Sequence, residues 1–409
     1  MSPAARRLIA LHGAALAAVG GRNATARALR EQPLGGEGPL YLLAVGKAAA
    51  AMSLGALEAL PEEPAAGLVI TREGYTEAAL ADWPQLRQLE SAHPLPDGRS
   101  LRAGEAMVQF LAHAPAEARF LVLVSGGASA LAELPAPGVG AADLAALNRW
   151  LLGSGRDIHA MNRIRRACSR IKGGRLAAWL EGRPTRALLI SDVQGDAPAA
   201  IGSGLLVRAD DDPLIEDELP GHLRHLPHDI PPPPAPKAFA GIELRIIATN
   251  AHARAAAAAA ARAQGLPVQA HEEFLSGDAA ELGRRLVDSL RGAPPGVHIW
   301  GGEPTVALLA RPGRGGRMQQ LALSAALALE DAPGITLLAA GTDGADGPGE
   351  AAGAWVDGHT AARCRGAGQD PEKALRAQDA GTALAAAEAL LYTGPTGTNV
   401  MDLVIALVE

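Results

Sequence analysis

The segment RFLVLVSGGASALAELP, residues 119–135, constrains the fold of this chain more than any other stretch. Residues 120–124 form a short unbroken apolar run, which is typical of a strand buried on both faces. Ser125, Gly126 and Gly127 follow directly and lead into an Ala/Leu segment that favours a helix. Since a helix N-terminus has unpaired N–H groups and a partial positive charge, this junction predicts either an anion-binding loop or an ordinary tight turn of an α/β protein.

The same alternation of strand, glycine turn and helix recurs along the first half of the chain. Residues 41–45 predict a buried strand, Gly46 a turn and residues 48–60 a helix. Further strands are predicted over residues 65–74 and 187–190. Strands that alternate with helices at this spacing predict a mostly parallel, doubly wound sheet, so the fold class is α/β.

The chain length and one proline-rich run predict two domains. At 409 residues the chain exceeds one ordinary hydrophobic core. Residues 210–236 have a loop-like composition and end in IPPPPAPK, whose consecutive prolines cannot join a helix or a central strand. We therefore place the boundary at residues 231–236 and predict an N-terminal domain over residues 1–236 and a C-terminal α/β domain over residues 237–409.

Composition excludes several classes of protein. With 37 basic and 44 acidic residues the net charge is −7, which gives no general attraction to nucleic acids or anionic membranes. Cys168 and Cys364 form no C-x-x-C pair, which fits a reducing cytoplasm and excludes a thiolate-rich metal site. The N-terminal segment favours an ordinary helix over a signal peptide because His12 interrupts its apolar patch. We therefore expect a cytoplasmic protein that binds neither nucleic acid nor membrane.

Polar clusters follow several of the predicted strands. Because ligands of open α/β sheets bind at the carboxyl ends of the strands, we expect these clusters to converge on one cleft. The clusters are Gly46-Lys47, residues 91–97, residues 125–127, Ser191-Asp192, Gly301-Gly302-Glu303 and residues 341–346.

Two kinds of charged group in these clusters suit phosphate chemistry. Lys47 follows a glycine at a strand-to-helix junction, where an ammonium can reach a bound phosphate; the alternative is an exposed lysine that starts a helix. The Walker A pattern is not matched around it. Asp343 with Asp346, and Asp192 with Asp196, are carboxylates on glycine-containing loops, which suit Mg²⁺ or, alternatively, are solvated turn residues.

Three further motifs contain candidate site residues. Glu303 in GGEPTV predicts a metal ligand, a contact to a substrate hydroxyl or a capping carboxylate. Arg314 and Arg317 in GRGGR are candidates for binding an oxyanion, or they belong to a surface loop. His93 in SAHPLPDG is a candidate general base or a structural histidine. Neither G-x-S-x-G nor a strict G-x-G-x-x-G follows a predicted strand, so nucleophilic catalysis and nicotinamide binding have little support.

Nine motifs, taken together, resemble one known family. They are AVGKAA, SAHPLPDG, SGGASAL, SGRDIHAMNRIRRACSRIKGGRLA, SDVQGD, GGEPTV, GRGGR, AAGTDGADGP and PTGTNVMDL. In this order, and over nearly the whole length, they resemble the class II glycerate kinases, the family with a C-terminal MOFRL domain. The resemblance implies two α/β/α domains, the first a Rossmann-like doubly wound sheet and the second containing MOFRL, with the active site in the cleft between them.

The resemblance also implies an activity. A glycerate 2-kinase transfers a phosphoryl group from ATP, with Mg²⁺, to D-glycerate and gives 2-phosphoglycerate. We expect the chain to act as a monomer or homodimer. Two alternatives stay open: an NAD(P)H-dependent hydroxypyruvate reductase, a label that relatives of this family have carried, and a non-catalytic protein that binds sugar acids.

Five residues match the family's interdomain active site by motif: Lys47, Glu303, Arg317, Asp343 and Asn399. The chain departs from the family pattern at Ala128, Met318 and Gly349. The candidate residues are Lys47, Arg317 and Asp192 for catalysis, Ser125, Gly126, Gly127, Glu303 and Asn399 for binding substrate or nucleotide, and Asp343 and Asp192 for holding Mg²⁺.

Overall fold

The strands of the described residues form two six-stranded sheets, and each sheet belongs to its own unit of the chain. The structure, a computed structural model, describes residues 1–156, 158–209 and 218–409. The Rossmann-like unit is Gly20–Ile247, and the split unit combines Met1–Val19 with Ala248–Glu409. None of the helices in the described ranges combines the length and the apolarity that crossing a bilayer requires.

The sheet of the Rossmann-like unit has the strand order β3-β2-β1-β4-β5-β6. The pairs β1–β2, β1–β4, β2–β3 and β4–β5 are parallel, which confirms the predicted doubly wound sheet. In this order the chain reverses its progress across the sheet between β1 and β4, and ligands of such folds bind at that point. The strands are β1 (Leu40–Val45), β2 (Ala66–Arg72), β3 (Leu86–Ser91), β4 (Arg119–Val124), β5 (Thr185–Ile190) and β6 (Ile242–Ala248).

Helices pack on this sheet and share a hydrophobic core with its strands. The core includes Leu43, Ile70, Met107, Phe120 and Leu189, all of them nearly inaccessible to solvent. The helix after β4 ends after four residues, which is shorter than the Ala/Leu segment predicts. The helices are α2 (Gly21–Glu31), α3 (Ala49–Ala59), α4 (Gly98–His113), α5 (Ala128–Leu131), α6 (Ala141–Gly153) and α7 (Ile158–Ala167).

The sheet of the split unit has the strand order β11-β10-β9-β12-β8-β7. Only β7 and β8 pair in parallel among the described strands of this sheet, since β12 runs antiparallel to both β8 and β9, and β10 runs antiparallel to β9 and β11. The strands are β7 (Val268–Leu275), β8 (Gly296–Gly302), β9 (Ile335–Gly341), β10 (Gly353–Asp357), β11 (Leu390–Leu391) and β12 (Asp402–Val408). The helices are α1 (Pro3–Val19), α8 (Asn250–Ala263), α9 (Ala279–Leu290), α10 (Arg317–Ala328), α11 (Thr360–Gly366), α12 (Pro371–Arg376) and α13 (Ala380–Ala386).

The two units divide the chain differently from the predicted ranges 1–236 and 237–409. Strand β6 follows the prolines at residues 231–236 but lies beside β5 in the Rossmann-like sheet, so the proline run is a connection within that unit. Helix α1 belongs to the split unit, where the Thr398 hydroxyl donates to the Val19 carbonyl oxygen at 2.7 Å. Residues 210–217 of the predicted loop, and Asp157 of the arginine-rich motif, lie outside the described residues.

His12 makes the split unit sensitive to acid. The residue is 1% exposed on α1, and its Nε2 atom has no hydrogen-bond partner among the described residues. Burial lowers the pKa of His12 to about 4. Since the unfolded chain binds this proton near the ordinary pKa of 6.5, the neutral imidazole contributes stability above that pH, and the contribution is lost as the pH falls toward 4.

We therefore expect the free energy of unfolding of the wild-type chain to fall by about 3 kcal/mol, because of His12 alone, as the pH falls from 7 to 4. The measurement is urea unfolding across this pH range for the wild type and for His12→Leu, in which the His12 contribution is absent. His113→Leu serves as the control, because His113 is exposed on α4. Equal pH profiles for the wild type and His12→Leu contradict this prediction.

Candidate functional site

Lys47 and the Ser-Gly-Gly turn lie at the carboxyl ends of the neighbouring strands β1 and β4. The Lys47 N–H donates to the Gly126 carbonyl at 2.9 Å, and the Ala48 N–H donates to Ser125 Oγ at 3.0 Å. Gly46 has φ of 133°, and a Cβ atom there would lie 2.1 Å from Ser125 Oγ. Only glycine allows the two turns to pack this closely, and they meet at the point where ligands of doubly wound sheets bind.

The turn after β4 offers less to an anion than its sequence predicts. Ser125 is fully buried, and its hydroxyl accepts the hydrogen bond from Ala48. Helix α5 has only four residues, so few peptide dipoles add up at its N-terminus. The N–H groups of Gly126 and Gly127 have no protein acceptor among the described residues. These two N–H groups, rather than the hydroxyl or the helix dipole, are what the turn presents.

A cavity of about 220 Å³ lies beside this turn, within the Rossmann-like unit. His93, Gly127 and Asp192 are among its lining residues. A Cβ atom on Gly127 would lie 2.9 Å from His93 Cδ2 and 3.3 Å from Lys47 Cγ. The side chains of His93 and Lys47 therefore both lie beside this glycine. The structure therefore brings Lys47, Gly127, His93 and Asp192 into one region of this unit.

In the split unit, Arg317 forms an ion-pair cluster with two carboxylates. Its Nε donates to Asp402 Oδ2 at 2.6 Å and its Nη2 to Asp402 Oδ1 at 3.3 Å, while its Nη1 donates to Glu303 Oε1 at 3.1 Å. Three elements supply the cluster, since Glu303 follows β8, Arg317 begins α10 and Asp402 begins β12. The two-pronged contact to Asp402 fixes the plane of the guanidinium.

Burial sets the electrostatics of this cluster. Asp402 is 3% exposed, and burial raises its pKa to about 7 against the opposing effect of the Arg317 charge. Burial also acts to lower the pKa of Arg317, but Asp402, with Glu303 and Asp346, outweighs it and holds that pKa above its ordinary value. Arg317 therefore stays charged, whereas Asp402 depends on Arg317 for its negative charge.

Asp343 and Asp346 share a loop but have different surroundings. Asp346 is 4% exposed, and its carboxylate accepts the N–H groups of Met318 at 3.0 Å and Gln319 at 2.7 Å. It thereby caps the first turn of α10 and holds the helix that carries Arg317. Met318, one of the departures from the family pattern, is fully buried in the core, with its N–H on this cap.

Asp343 is half-buried at the end of β9. Its Oδ1 accepts the Ala345 N–H at 3.2 Å. A Cβ atom on Gly341 would lie 3.4 Å from Asp343 Oδ1 and 3.3 Å from Asp402 Oδ1, so the glycine leaves room for both carboxylates. Asp343 is thus placed near the Arg317–Asp402 pair.

Thr342 fastens the loop that carries Asn399. Its hydroxyl donates to the Met401 carbonyl at 2.6 Å and accepts the Val400 N–H at 2.8 Å. Met401 has φ of 67°, a left-handed conformation that a side chain with a Cβ atom rarely adopts, and Asn399 Oδ1 accepts its N–H at 3.3 Å. These bonds hold the loop in one shape just before β12 begins.

Asn250 fastens the same loop from the other side. Its Nδ2 donates to the carbonyl oxygens of Val400 at 2.9 Å and Asp402 at 3.0 Å. A Cβ atom on Gly301 would lie 1.7 Å from Asn250 Oδ1, so the amide reaches the strand only because that residue is glycine. These contacts fix the backbone of Asp402, the residue whose side chain binds Arg317.

Sequence reasoning missed Asp402, Thr342, Asn250 and a buried pair of Lys172 with Glu133 that lines the cavity. Asp402 gave one signal, because aspartate is disfavoured in strands and yet begins the apolar run of β12. The predicted residues divide between the units. Lys47, Ser125, Gly126, Gly127 and Asp192 belong to the Rossmann-like unit, and Glu303, Arg317, Asp343 and Asn399 belong to the split unit.

The donor set for Mg²⁺ is modest. Within the described ranges, no group of three or more His, Cys, Asp and Glu side chains is arranged to hold a metal ion. Mg²⁺ that arrives with substrate phosphates needs only one or two protein carboxylates. Asp343 fits that requirement, whereas Asp346 is occupied by its capping bonds.

Two family descriptions match the chain. Residues 7–215 match a domain of unknown function, DUF4147, and residues 296–402 match the MOFRL family. A D-glycerate 2-kinase of Thermotoga maritima is 35% identical over 90% of this chain and 90% of its own, and a glycerate 2-kinase of Pyrococcus horikoshii is 34% identical over 91% and 88%. A provisionally named hydroxypyruvate reductase of Agrobacterium vitis is 36% identical over 90% of this chain and 98% of its own.

A solved structure agrees with these matches. The crystal structure of a glycerate kinase from Thermotoga maritima aligns with a TM-score of 0.85 and 32% identity, and covers 99% of both chains. The motifs, the two family matches and this likeness over the full length lead to one conclusion. The chain belongs to the glycerate 2-kinase family with a C-terminal MOFRL domain.

Proposed function

We propose that this protein transfers a phosphoryl group from ATP, with Mg²⁺, to D-glycerate and produces 2-phosphoglycerate. The observation that carries the proposal is the position of Lys47 beside the Gly126 and Gly127 N–H groups, at the point of the doubly wound sheet where ligands bind. Phosphoryl transfer needs positioning and charge neutralisation more than covalent chemistry, and an ammonium with backbone N–H groups supplies both.

In the Rossmann-like unit, we assign to Lys47 the role of neutralising the negative charge of the transferring phosphoryl group. The N–H groups of Gly126 and Gly127 bind an anionic group of substrate or nucleotide. Asp192 lines the small cavity and acts as general base toward the acceptor hydroxyl. Each role uses a group that lies at a strand end, where the rigid sheet sets its position.

In the split unit, we assign Arg317 to phosphate oxygens, with its orientation fixed by Asp402. Glu303 and Asn399 orient glycerate or nucleotide, and Asp343 holds Mg²⁺. The ion, when bound, neutralises charge on the phosphate oxygens. The side chain of Asp402 holds Arg317 in place, and the positive charge of Arg317 keeps the Asp402 carboxylate ionised.

The hydroxypyruvate reductase alternative meets a specific obstacle. A dinucleotide-binding turn after β1 uses glycine so that a pyrophosphate can approach the backbone. Here the space beside Gly46 is filled by Ser125, whose Oγ lies 2.1 Å from where a Cβ atom would be. The first turn of this sheet therefore packs against protein where a pyrophosphate would need room.

One pair of assays tests the proposal against both alternatives. The first measures ADP release from ATP, Mg²⁺ and D-glycerate, with L-glycerate and glycerate-free samples as controls, and identifies the product by phosphorus NMR. The second measures NADH oxidation with hydroxypyruvate. We expect ADP release and 2-phosphoglycerate in the first assay and no oxidation in the second. NADH oxidation without ADP release reverses the assignment, and silence in both assays favours the sugar-acid-binding protein.

We also propose a cellular location and an oligomeric state for the protein. We place the protein in the cytoplasm, because both cysteines are free thiols buried in their units, as a reducing compartment permits. We also propose a monomer or homodimer. Light scattering of the purified chain measures its mass directly, and a larger assembly contradicts that proposal.

A further inference from the structure

The cavity of the Rossmann-like unit contains charged side chains that have no role in the mechanism above. Lys172 is 2% exposed, and its Nζ donates to Glu133 Oε2. The other carboxylate oxygen of Glu133 accepts the Leu134 N–H at 2.9 Å and the Ser169 hydroxyl. The two opposite charges cancel, and the hydrogen bonds of Glu133 are satisfied within the protein. The Lys172–Glu133 pair therefore forms part of the cavity lining, and its charges are already paired with each other.

Arg165 lines the same cavity and stands outside that pair. Its Nη1 donates to the neutral amide oxygen of Asn162 at 3.1 Å, and it forms no ion pair with a described carboxylate. Burial lowers the pKa of Arg165, and Glu133 opposes this only at longer range. The guanidinium is therefore partly removed from water, and no carboxylate of the described residues pairs with it. Such a group binds a carboxylate or phosphate with two parallel hydrogen bonds.

The remaining lining suits a small polar ligand. Ser129 and Asn148 present neutral polar groups to the cavity, and Asp192 is a further lining residue. Burial, with a smaller contribution from Glu133, raises the pKa of the Cys168 thiol to about 12, so this lining residue stays protonated and unreactive. At about 220 Å³ the cavity is smaller than the roughly 300–1,000 Å³ of pockets for drug-sized ligands.

We infer that Arg165 binds the carboxylate of the three-carbon acid acceptor in this cavity and thereby selects an acid over a neutral polyol. The identity of the acid rests on the proposed function. With its carboxylate on Arg165, the acceptor has its hydroxyl groups left for Asp192, which lines the same cavity. The preference for an acid arises because a polyol leaves the desolvated guanidinium without an anion.

Steady-state kinetics of Arg165→Gln, Arg165→Lys and Arg149→Gln test this inference. Arg149→Gln is the matched control, because Arg149 is an exposed arginine on the neighbouring helix α6. For Arg165→Gln we expect KM for D-glycerate to rise about 30- to 100-fold while KM for ATP changes less than twofold. The kcat/KM for glycerol stays at its wild-type value, so the preference for the acid falls by the same factor. Arg165→Lys recovers part of it.

Calorimetry of D-glycerate with the full chain, without nucleotide, separates this inference from the proposed function. If the wild type releases no ADP yet binds D-glycerate, and Arg165→Gln loses that binding, the kinase assignment fails and the carboxylate site stands. A wild type that binds neither D-glycerate nor hydroxypyruvate overturns the site. So does a rise in KM for ATP with KM for D-glycerate unchanged, which places a nucleotide phosphate on Arg165. An unchanged Tm for Arg165→Lys shows that the fold is not the cause.

Discussion

Replacing Arg317 with alanine is expected to destabilise the protein as well as to lower its turnover by two to three orders of magnitude or more. The loss of turnover follows from the proposed contact of Arg317 with phosphate oxygens. The loss of stability follows from Asp402, which is 3% exposed and in this variant must either take up a proton or keep a buried charge with no cation beside it. Breaking a buried pair costs about 3–5 kcal/mol, and because the Arg317 side chain is 36% exposed we expect the lower end.

The pH dependence of this destabilisation distinguishes it from a loss of packing. Asp402 has a raised pKa of about 7, and removal of Arg317 raises it further. A group whose pKa is raised in the folded state contributes stability below its unfolded pKa, and this contribution is lost as the pH rises through the folded pKa. Urea unfolding should therefore show Arg317→Ala close to the wild type near pH 4 and furthest from it at pH 8.

The double variant Arg317→Ala with Asp402→Asn serves as the control. The neutral amide has the shape of the carboxylate, so we expect most of the lost stability to return at pH 8 while turnover stays low. If the double variant is as unstable as the single one, the buried charge is not the cause. If the double variant regains turnover, Arg317 does not act on the substrate.

Replacing Lys47 with alanine is expected to lower kcat by roughly two to three orders of magnitude without unfolding the chain. The two outcomes differ because the local structure uses the backbone of Lys47, whose N–H donates to the Gly126 carbonyl at 2.9 Å, and alanine retains that bond. The measurements are initial rates of ADP release and urea unfolding.

Two further variants test the role of the Lys47 charge. Lys47→Arg keeps a cation but changes its shape, so we expect it to recover part of the rate. Lys237→Ala removes an exposed lysine elsewhere in the same unit and is expected to change neither rate nor stability. A Lys47→Ala enzyme with more than a tenth of the wild-type kcat contradicts the assigned role.

The sequence predicts the Rossmann-like sheet well, because each of its central strands is an unbroken apolar run. The predicted strands at residues 41–45, 120–124 and 187–190 lie within β1, β4 and β5. The convergence of Lys47 with the Ser-Gly-Gly turn also follows from the sequence, since the carboxyl ends of parallel neighbours share one edge. Local pattern is enough where strands are buried and turns need glycine.

Other features depend on contacts that no local pattern records. The amphipathic pattern of α1 predicts a helix but does not say which sheet the helix covers. The prolines at residues 231–236 have the composition of a domain linker, yet β6 after them completes the first sheet. Asp343 and Asp346 look alike as turn aspartates, and only the N–H groups of α10 show that Asp346 is a cap. The Arg317–Asp402 pair joins residues far apart in the chain.

The split of one unit across the chain has a consequence for how the protein folds during synthesis. All strands of the Rossmann-like sheet have been made once residue 248 has been added. The other sheet cannot close until β12, at Asp402–Val408, has been made, because that strand lies between β8 and β9. Helix α1 precedes all of these strands in the chain, so its apolar face stays uncovered until the rest of its unit has been translated. Until then, this exposed apolar surface can associate with other unfolded chains.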